Sequence, residues 1–309
     1  MSPTTSEPAT ASPARFSDVK GWFWPADQLL FDWFLNRQAQ LPDHSGDLLE
    51  LGAYLGKSAI FLGGHLRPGE RFTVCDLFDS PAPDDPNSAE MDKSYATLTR
   101  DAFETNYLAF HPELPTIVQG PTSVIGSRVE AGSCRFIHVD ASHLYEHVHG
   151  DIVAARKLAA PEAVVAFDDF RAEHCPGVAA AVWGAVATQE LRLICITATK
   201  AYGTWGDAAP VRAELLTWLE SRPDLWHGVE EVAGAPLIRI SGKKAQAPAP
   251  PQPLHPAPSD EPIGPEAPEA AGASQVPGAP LAPAVPVAPA APTASRGLLA
   301  RALGARRRR

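Results

Sequence analysis

The feature that most constrains the fold of this chain is an alternation of short apolar runs and longer amphipathic segments between residues 47 and 240. The apolar runs have the length and composition of strands that are buried on both faces. The amphipathic segments have the apolar spacing of helices, and strand–helix alternation is typical of parallel sheets. The sequence therefore predicts an α/β fold with a seven-stranded, mostly parallel sheet and helices on both faces.

The predicted strands are short and mostly apolar, and they comprise residues 47–51, 72–76, 115–119, 135–139, 163–167, 191–197 and 236–240. The predicted helices have apolar residues three or four positions apart, and they comprise residues 25–40, 57–66, 95–110, 144–158, 178–189 and 211–219. Residues 78–92 are expected to form a long loop after the second strand. With Trp22, Phe23 and Trp24, this loop is a candidate wall of a ligand pocket, but packing against the sheet explains the aromatic residues equally well.

The two ends of the chain differ in composition from its central part. Residues 1–15 are rich in Ser, Thr, Pro and Ala and are expected to form a disordered leader, whereas residues 16–243 form the folded domain. Residues 244–295 are rich in Pro and Ala, which predicts an extended, semi-rigid linker. Proline recurs at every third position from 277 to 292, so this part is either a spacer or a polyproline docking face. Residues 296–309 form a basic tail, which is either disordered or a helix that contacts an anionic surface.

Charge and composition exclude several classes of protein. The net charge is −10, and without the six arginines of the basic tail the rest of the chain carries −16. A core of that charge lacks the basic face that nucleic acid binding requires. No apolar run is long enough to span a membrane, and the N-terminal residues lack the pattern of a secretory signal peptide. The 4 cysteines are scattered without a metal-binding or disulfide spacing, so a cytoplasmic location is expected.

Residues 48–58, with the sequence LLELGAYLGKS, join the first predicted strand to a helix. The strand ends in Glu50, and Gly52 and Gly56 frame the turn that follows. Ligands of α/β sheets bind at the carboxyl ends of strands, and glycines let the backbone approach a ligand closely. The spacing of the two glycines differs from that of dinucleotide-binding and phosphate-binding loops. A tight turn without a ligand therefore stays an alternative.

The second predicted strand ends in Asp76, a carboxylate suited to the two hydroxyl groups of a ribose, although an aspartate that only begins a loop is the alternative. The glycine turn and the order of the strands resemble those of class I S-adenosylmethionine-dependent methyltransferases, and most of all their catechol O-methyltransferase branch. The resemblance covers residues 47–170 and, more loosely, residues up to 240. It implies a Rossmann-like sheet and S-adenosylmethionine as the cofactor.

The resemblance also implies which residues contact that cofactor. In the family, the glycine turn cradles the methionine part, the acid of the second strand binds the ribose, and the loop after the third strand borders the adenine. The positions of this sequence that match the cofactor site are Glu50, Gly52, Tyr54, Gly56, Ser58, Asp76, Thr122, Ser123 and Asp140.

A second motif places carboxylates after the fourth and fifth predicted strands. Asp140 follows the fourth strand, Asp168 and Asp169 follow the fifth, and neighbouring parallel strands end at the same edge of a sheet. Three carboxylates that lie close together need a cation or protons to compensate their charge. Oxygen ligands without a thiolate favour Mg²⁺, or another divalent cation such as Mn²⁺ or Ca²⁺. The alternative is that Asp168 and Asp169 only cap the loop that follows them.

The acid motif resembles the metal site of the metal-dependent O-methyltransferases, in which an Asp-Asn pair stands where this chain has Asp168-Asp169. It is more similar to a group of macrolide sugar O-methyltransferases and cephalosporin hydroxylase-like proteins, which have Asp-x-x-His-x-Tyr and Asp-Asp at these positions. His143 of this pattern takes the position of the lysine base of the catechol-type enzymes. A histidine with an ordinary pKa of about 6.5 accepts a proton at neutral pH, so His143 is the candidate general base. A structural hydrogen bond to the neighbouring loop is its alternative role.

These observations predict an S-adenosylmethionine-dependent O-methyltransferase that acts on a hydroxyl group of a small molecule or sugar. A metal on Asp140, Asp168 and Asp169 would bind the acceptor hydroxyl, and His143 would remove its proton. Two alternatives stay open: a cephalosporin hydroxylase-like enzyme on the same scaffold, and a non-catalytic interaction protein that acts through its tail. A homo-oligomer is also compatible with the sequence.

Overall fold

The strands of the described residues form a single sheet, and the structure, a computed structural model, describes residues 12–41, 46–95 and 98–255. The strands are β1 (Asp47–Leu51), β2 (Phe72–Asp76), β3 (Thr116–Gln119), β4 (Cys134–Val139), β5 (Ala159–Phe167), β6 (Arg192–Ile196), β7 (Ala201–Thr204), β8 (Trp226–Val232) and β9 (Ala235–Ser241). Their order in the sheet is β3-β2-β1-β4-β5-β7-β6-β9-β8. The first five strands of this order are parallel, and β7 is antiparallel to both of its neighbours.

Helices cover both faces of this sheet. They are α1 (Pro25–Gln40), α2 (Lys57–Gly63), α3 (Asp85–Ser94), α4 (Arg100–Leu108), α5 (Tyr145–Leu158), α6 (Pro176–Thr188) and α7 (Ala208–Glu220). One apolar core contains buried residues of α1, α2, α4 and α7, and a second core contains those of α5 and α6. Among the described helices, none is long and apolar enough to cross a membrane.

The register of the central strands decides where the functional residues lie. Every residue of β1, β2 and β4 is buried, which is why these strands are mostly apolar in sequence. Leu51 of β1 pairs with Val139 of β4, and Val139 pairs in turn with Phe167 of β5. The residues that follow these three positions therefore lie side by side at the carboxyl edge of the sheet.

The structure differs from the sequence-based prediction at the edges of the fold. Within the described residues there are nine strands instead of the expected seven, and the two additional strands are β7 and β8. β7 is very short and contains a glycine, and β8 is a polar strand at the edge of the sheet, so neither has an apolar signal. The expected loop at 78–92 contains α3, whose first turn is capped by the Asp84 carboxylate through the backbone N–H of Asn87. The helix expected to begin at residue 95 begins at Arg100, after the Thr99 cap.

The predicted terminal segments lie largely outside the described residues. Residues 1–11 belong to the expected leader, and residues 256–309 contain most of the expected linker and the whole basic tail. The first part of the expected linker, up to residue 255, is described and has no helix or strand. Within it, the backbone N–H of Leu254 donates to the carbonyl oxygen of Ala109.

Candidate active site

The turn between β1 and α2 is held closely against the end of β4. Gly52 has a φ of 79°, and a Cβ atom there would lie 2.0 Å from the carbonyl oxygen of Asp140. Gly56, which caps the start of α2, has a φ of 92°, and its Cβ would lie 3.1 Å from the ring of Phe103. Both positions need glycine because the backbone is left-handed there and because a neighbour fills the space of a side chain. The turn and Asp140 therefore share one edge of the sheet.

Asp76, at the end of β2, binds the backbone of this turn. Its Oδ2 accepts the N–H groups of Ala53 at 2.7 Å and Tyr54 at 3.1 Å, and its Oδ1 accepts that of Phe78 at 2.7 Å. Burial raises the pKa of Asp76, against the effect of these three hydrogen bonds. The carboxylate holds the turn in place, and its expected contact with a ribose stays a prediction.

Glu50 presents a buried carboxylate oxygen beside the turn. Its Oε1 lies 2.7 Å from Nδ1 of His138, but Oε2 has no hydrogen-bond partner within the described part of the chain. Burial raises the pKa of Glu50 to about 8, and the neighbouring Ser58 hydroxyl and Lys200 ammonium act in the opposite direction. A buried oxygen without a partner is costly, so a ligand with a donor group at this position is expected to be bound favourably.

The structure brings Asp140, Asp168 and Asp169 together at the ends of β4 and β5. Asp168 is buried and accepts the backbone N–H of Asp169 at 2.8 Å through its Oδ1. Asp140 keeps 29% of its side chain exposed, so it is accessible to a ligand. Burial and the adjacent Asp168 carboxylate hold the pKa of Asp140 well above its ordinary value. The three acids therefore lie close to one another, Asp140 and Asp169 are both partly exposed, and Asp169 is the one paired with His143.

Lys200 is the functional candidate that the sequence analysis missed. It lies in the turn between β6 and β7, and its side chain is only 1% exposed. Its ammonium group forms an ion pair with Oδ2 of Asp168 and lies 3.0 Å from Nε2 of His138. A continuous line of polar contacts therefore joins Asp168, through Lys200 and His138, to Glu50. The only signal in the sequence is a lone charge within the apolar stretch ICITATKAY, and that signal indicates no particular partner.

His143 lies between two carboxylates that come from different elements. Its Nδ1 is 2.8 Å from Oε1 of Glu90 in α3, and its Nε2 is 2.9 Å from Oδ2 of Asp169. Burial lowers the pKa of His143, but the hydrogen bonds to Asp169 and Glu90 outweigh it and raise the pKa to about 10. The imidazole is then protonated at neutral pH and has no free nitrogen to accept a proton. The general-base role expected for His143 stays a prediction that this geometry does not favour.

We expect NMR of ¹⁵N-labelled protein to report an imidazolium at His143 throughout the neutral range, with a midpoint near pH 10. Folding raises the pKa of His143, so its ion pairs with Glu90 and Asp169 stabilise the protein fully below the unfolded-state pKa of about 6.5. This stabilisation is lost progressively as the pH rises from there through the folded-state pKa of about 10. Glu90→Gln removes one carboxylate and should lower the midpoint. A midpoint at the ordinary histidine value in the unsubstituted protein would contradict the two ion pairs.

The donor set at this edge does not fit a divalent cation. Among the residues that the structure describes, two groups of side chains have ligand atoms within 4.8 Å of one another: His138, Asp140 and Asp168, and His143, Asp169 and Cys175. In the first group, the Lys200 ammonium contacts both His138 and Asp168. In the second, His143 is paired with Asp169, and burial raises the pKa of the Cys175 thiol to about 12, which leaves it a weak ligand. Mg²⁺ or another divalent cation on Asp140, Asp168 and Asp169 stays a prediction.

The loop after β3 places Thr122 and Ser123 near a second buried carboxylate. Both residues begin a short 3₁₀ helix, Thr122–Ser127. Asp151 of α5 is buried, and its Oδ2 has no hydrogen-bond partner within the described residues. Burial raises the pKa of Asp151 to about 7, and a hydrogen bond to the Thr122 side chain opposes that shift. Asp151 was not among the predicted residues because its position on α5 reads as part of an ordinary amphipathic helix.

Of the aromatic residues proposed as a pocket wall, Trp22 borders the glycine turn. Its ring is 65% exposed and stacks on Tyr54 with the ring centroids 5.7 Å apart. Tyr54 also contacts the ring of Tyr95 at 5.6 Å. Phe23 is buried in the apolar core, and Trp24 is exposed at the start of α1.

The part of the chain that carries these strand ends matches a known family. Residues 49–170 match a protein family described as "Methyltransferase domain". This stretch is a methyltransferase domain. It begins in β1 and ends just after β5, so it contains the glycine turn and the three acids. No curated protein matches the chain.

Solved structures of O-methyltransferases resemble the methyltransferase domain. NovP has 18% identity, with 59% of this chain and 81% of NovP covered and a TM-score of 0.48. CalS11, described as a TDP-rhamnose 3'-O-methyltransferase of calicheamicin biosynthesis, has 20% identity, coverages of 59% and 80%, and a TM-score of 0.41. A Bacillus cereus O-methyltransferase has 14% identity, coverages of 61% and 85%, and a TM-score of 0.41. At these values the similarities carry no conclusion about function.

The main sequence-based predictions are confirmed at the level of the family and the fold. Residues 49–170 belong to a methyltransferase domain, and the described part of the chain has the expected Rossmann-like α/β architecture with a largely parallel sheet. The predicted roles of individual residues stay predictions.

Proposed function

We propose that this protein transfers the methyl group of S-adenosylmethionine to a hydroxyl oxygen of a small molecule. The observation that carries the proposal is the position of Asp140, an accessible carboxyl group of raised pKa directly beside the glycine turn of the methyltransferase domain. A carboxylate in this position is suited to accept the proton of a hydroxyl group, and deprotonation makes the oxygen a better nucleophile.

The residues around the glycine turn fit the cofactor. Glu50 Oε2, which is buried and without a partner among the described residues, is assigned to a donor group of the methionine part. The turn backbone at Gly52, Tyr54 and Gly56 would hold the same part, while Thr122 and Ser123 are assigned to the adenine end. When bound, S-adenosylmethionine supplies a methyl group on a positively charged sulfur.

The chain's own residues would then prepare the acceptor. Asp140 accepts a hydrogen bond from the acceptor hydroxyl and takes up its proton. Lys200 pairs with Asp168 and the protonated His143 pairs with Asp169, which holds both acids in place. The negative field of these two acids at Asp140 favours proton uptake there. The exposed face of Trp22, which stacks on Tyr54, is suited to pack on an aromatic or sugar ring of the acceptor.

The metal-assisted alternative uses the same residues in other roles. In it, Asp140, Asp168 and Asp169 would hold Mg²⁺, which would lower the pKa of the acceptor hydroxyl, and His143 would be the base. Methyl transfer in the presence of EDTA distinguishes the two versions, since only the metal-assisted version loses activity.

We expect isothermal titration calorimetry to show S-adenosylmethionine binding with micromolar affinity. Glu50→Gln keeps the shape of the side chain but cannot become charged when a donor group of the cofactor binds. A hydrogen bond to a charged group contributes about 1.5–3 kcal/mol, so the affinity should fall about 10- to 100-fold. Glu130→Gln changes an exposed carboxylate far from the turn and should leave the affinity unchanged.

A binding-competent protein would then be tested for methyl transfer to hydroxylated sugars and phenols with a radiolabelled methyl donor. Absence of cofactor binding in the unsubstituted protein would overturn the proposed function and favour an interaction protein. Unchanged affinity in Glu50→Gln would overturn the role of Glu50.

A further inference from the structure

The acid cluster of this protein already contains a cation that belongs to the chain. The Lys200 side chain is buried, and its ammonium group contacts Asp168 and His138. The aromatic rings of Phe23 and Phe31 each lie 5.9 Å from the same nitrogen. Carboxylates and ring faces thus surround the ammonium group, which is how proteins keep a desolvated cation in place.

The backbone presents Lys200 to the cluster from a rigid turn. The N–H of Thr197 donates to the carbonyl oxygen of Lys200 at 2.9 Å, and the N–H of Lys200 donates to Oγ1 of Thr197 at 2.9 Å. These two hydrogen bonds close the connection between β6 and β7. The backbone of the lysine is therefore held in a fixed position, from which its side chain reaches the strand ends.

The charges around the ammonium group favour its protonated form. The acids that face it are Asp168, Asp140 and Asp27. Burial lowers the pKa of Lys200, but the attraction of these three carboxylates outweighs it and raises the pKa. Asp27 accepts hydrogen bonds from the hydroxyl groups of Tyr202, Thr197 and Thr199. Asp168 and Asp140 are therefore the acids at the strand ends whose charge Lys200 balances.

We propose that the Lys200 ammonium takes the place of a divalent cation in the acid cluster, so that this methyltransferase works without a metal. Both oxygens of Asp168 are engaged, Oδ2 by Lys200 and Oδ1 by the backbone of Asp169. A divalent cation on Asp140 and Asp168 would lie next to a buried like charge, which opposes its binding. Lys200 is a positioning residue, since it is buried and acts on the acceptor site through Asp168 and Asp140.

The test measures metal binding directly and therefore does not depend on knowing the acceptor. The full-length protein is titrated with Mn²⁺ and followed by electron paramagnetic resonance. We expect no binding that depends on Asp168: the unsubstituted protein and Asp168→Asn should give the same titration at millimolar Mn²⁺. Saturable binding that Asp168→Asn abolishes would overturn the proposal.

Two variants of the lysine sharpen this result. Lys200→Ala removes the cation and should bind Mn²⁺ at least about tenfold more tightly than the unsubstituted protein does. Lys200→Arg keeps a positive charge and should bind as weakly as the unsubstituted protein, and Lys243→Ala is the exposed control. A folded Lys200→Ala that gains no affinity would contradict the exclusion of metal by this charge. If Lys200→Ala does not fold, the titrations of the unsubstituted protein and of Lys200→Arg decide.

The part of the inference that concerns activity rests on the proposed function. Methyl transfer should be unchanged by EDTA and by added Mg²⁺. Loss of methyl transfer in EDTA would overturn the inference that the enzyme works without a metal. Failure to bind S-adenosylmethionine would instead refute the proposed function, while the Mn²⁺ titrations would still decide whether Lys200 occupies the cation position.

Discussion

Asp140→Asn is expected to lose methyl transfer by about 10²- to 10⁴-fold, the usual contribution of a positioned general base. The asparagine has nearly the same shape but cannot take up a proton from the acceptor hydroxyl. Asp140 is partly exposed at the end of β4, and the buried ion pair of Lys200 is with Asp168, so the substitution leaves that pair in place. The loss should therefore fall on kcat, while the fold and most of the cofactor affinity are retained.

The measurement compares kcat and S-adenosylmethionine affinity for Asp140→Asn, His143→Gln and Asp101→Asn. Asp101 is an exposed acid of α4 and serves as the control. His143→Gln should cost less activity than Asp140→Asn, because His143 is paired through both ring nitrogens and acts by holding Asp169. If Asp140→Asn stays active while His143→Gln is inactive, the base is His143, as the sequence analysis predicted.

Gly52→Ala is expected to destabilise the protein much more than Gly132→Ala, although both glycines have a similar left-handed backbone. Their φ values are 79° and 73°. A Cβ on Gly132 meets nothing within 4 Å, whereas a Cβ on Gly52 would lie 2.0 Å from the carbonyl oxygen of Asp140. Left-handed backbone costs an alanine about 1–2 kcal/mol at either site, and overpacking at Gly52 adds about 1–3 kcal/mol.

Thermal unfolding checks this pair, since each kcal/mol lowers the Tm of a domain of this size by about 2–4 °C. The Gly52→Ala protein should unfold several degrees below Gly132→Ala and should bind S-adenosylmethionine far more weakly, because the turn must move away from β4. Equal Tm values for the two variants would show that the turn is not packed against β4. Retained cofactor affinity in Gly52→Ala would show that the turn does not hold the cofactor.

The positions of the site residues along the sheet follow from local sequence. Glu50, Asp140 and Asp168 each end or follow an apolar run, and parallel strands place such ends at one edge. The glycine turn is visible for the same reason, because Gly52 and Gly56 follow β1 directly. The edge elements β7 and β8 lack this signal, since a short strand with a glycine and a polar edge strand carry no apolar period.

The sequence by itself determined the parallel sheet, the glycine turn and the carboxylates at the strand ends, because each depends on residues adjacent in the chain. Only the tertiary structure decided how the charge of those carboxylates is balanced. Lys200 contacts a histidine 62 positions earlier, and Glu90 binds the backbone of His143, 53 positions later. No periodic pattern relates residues so far apart, so the sequence alone could not show that Lys200 and His143 lie against these carboxylates.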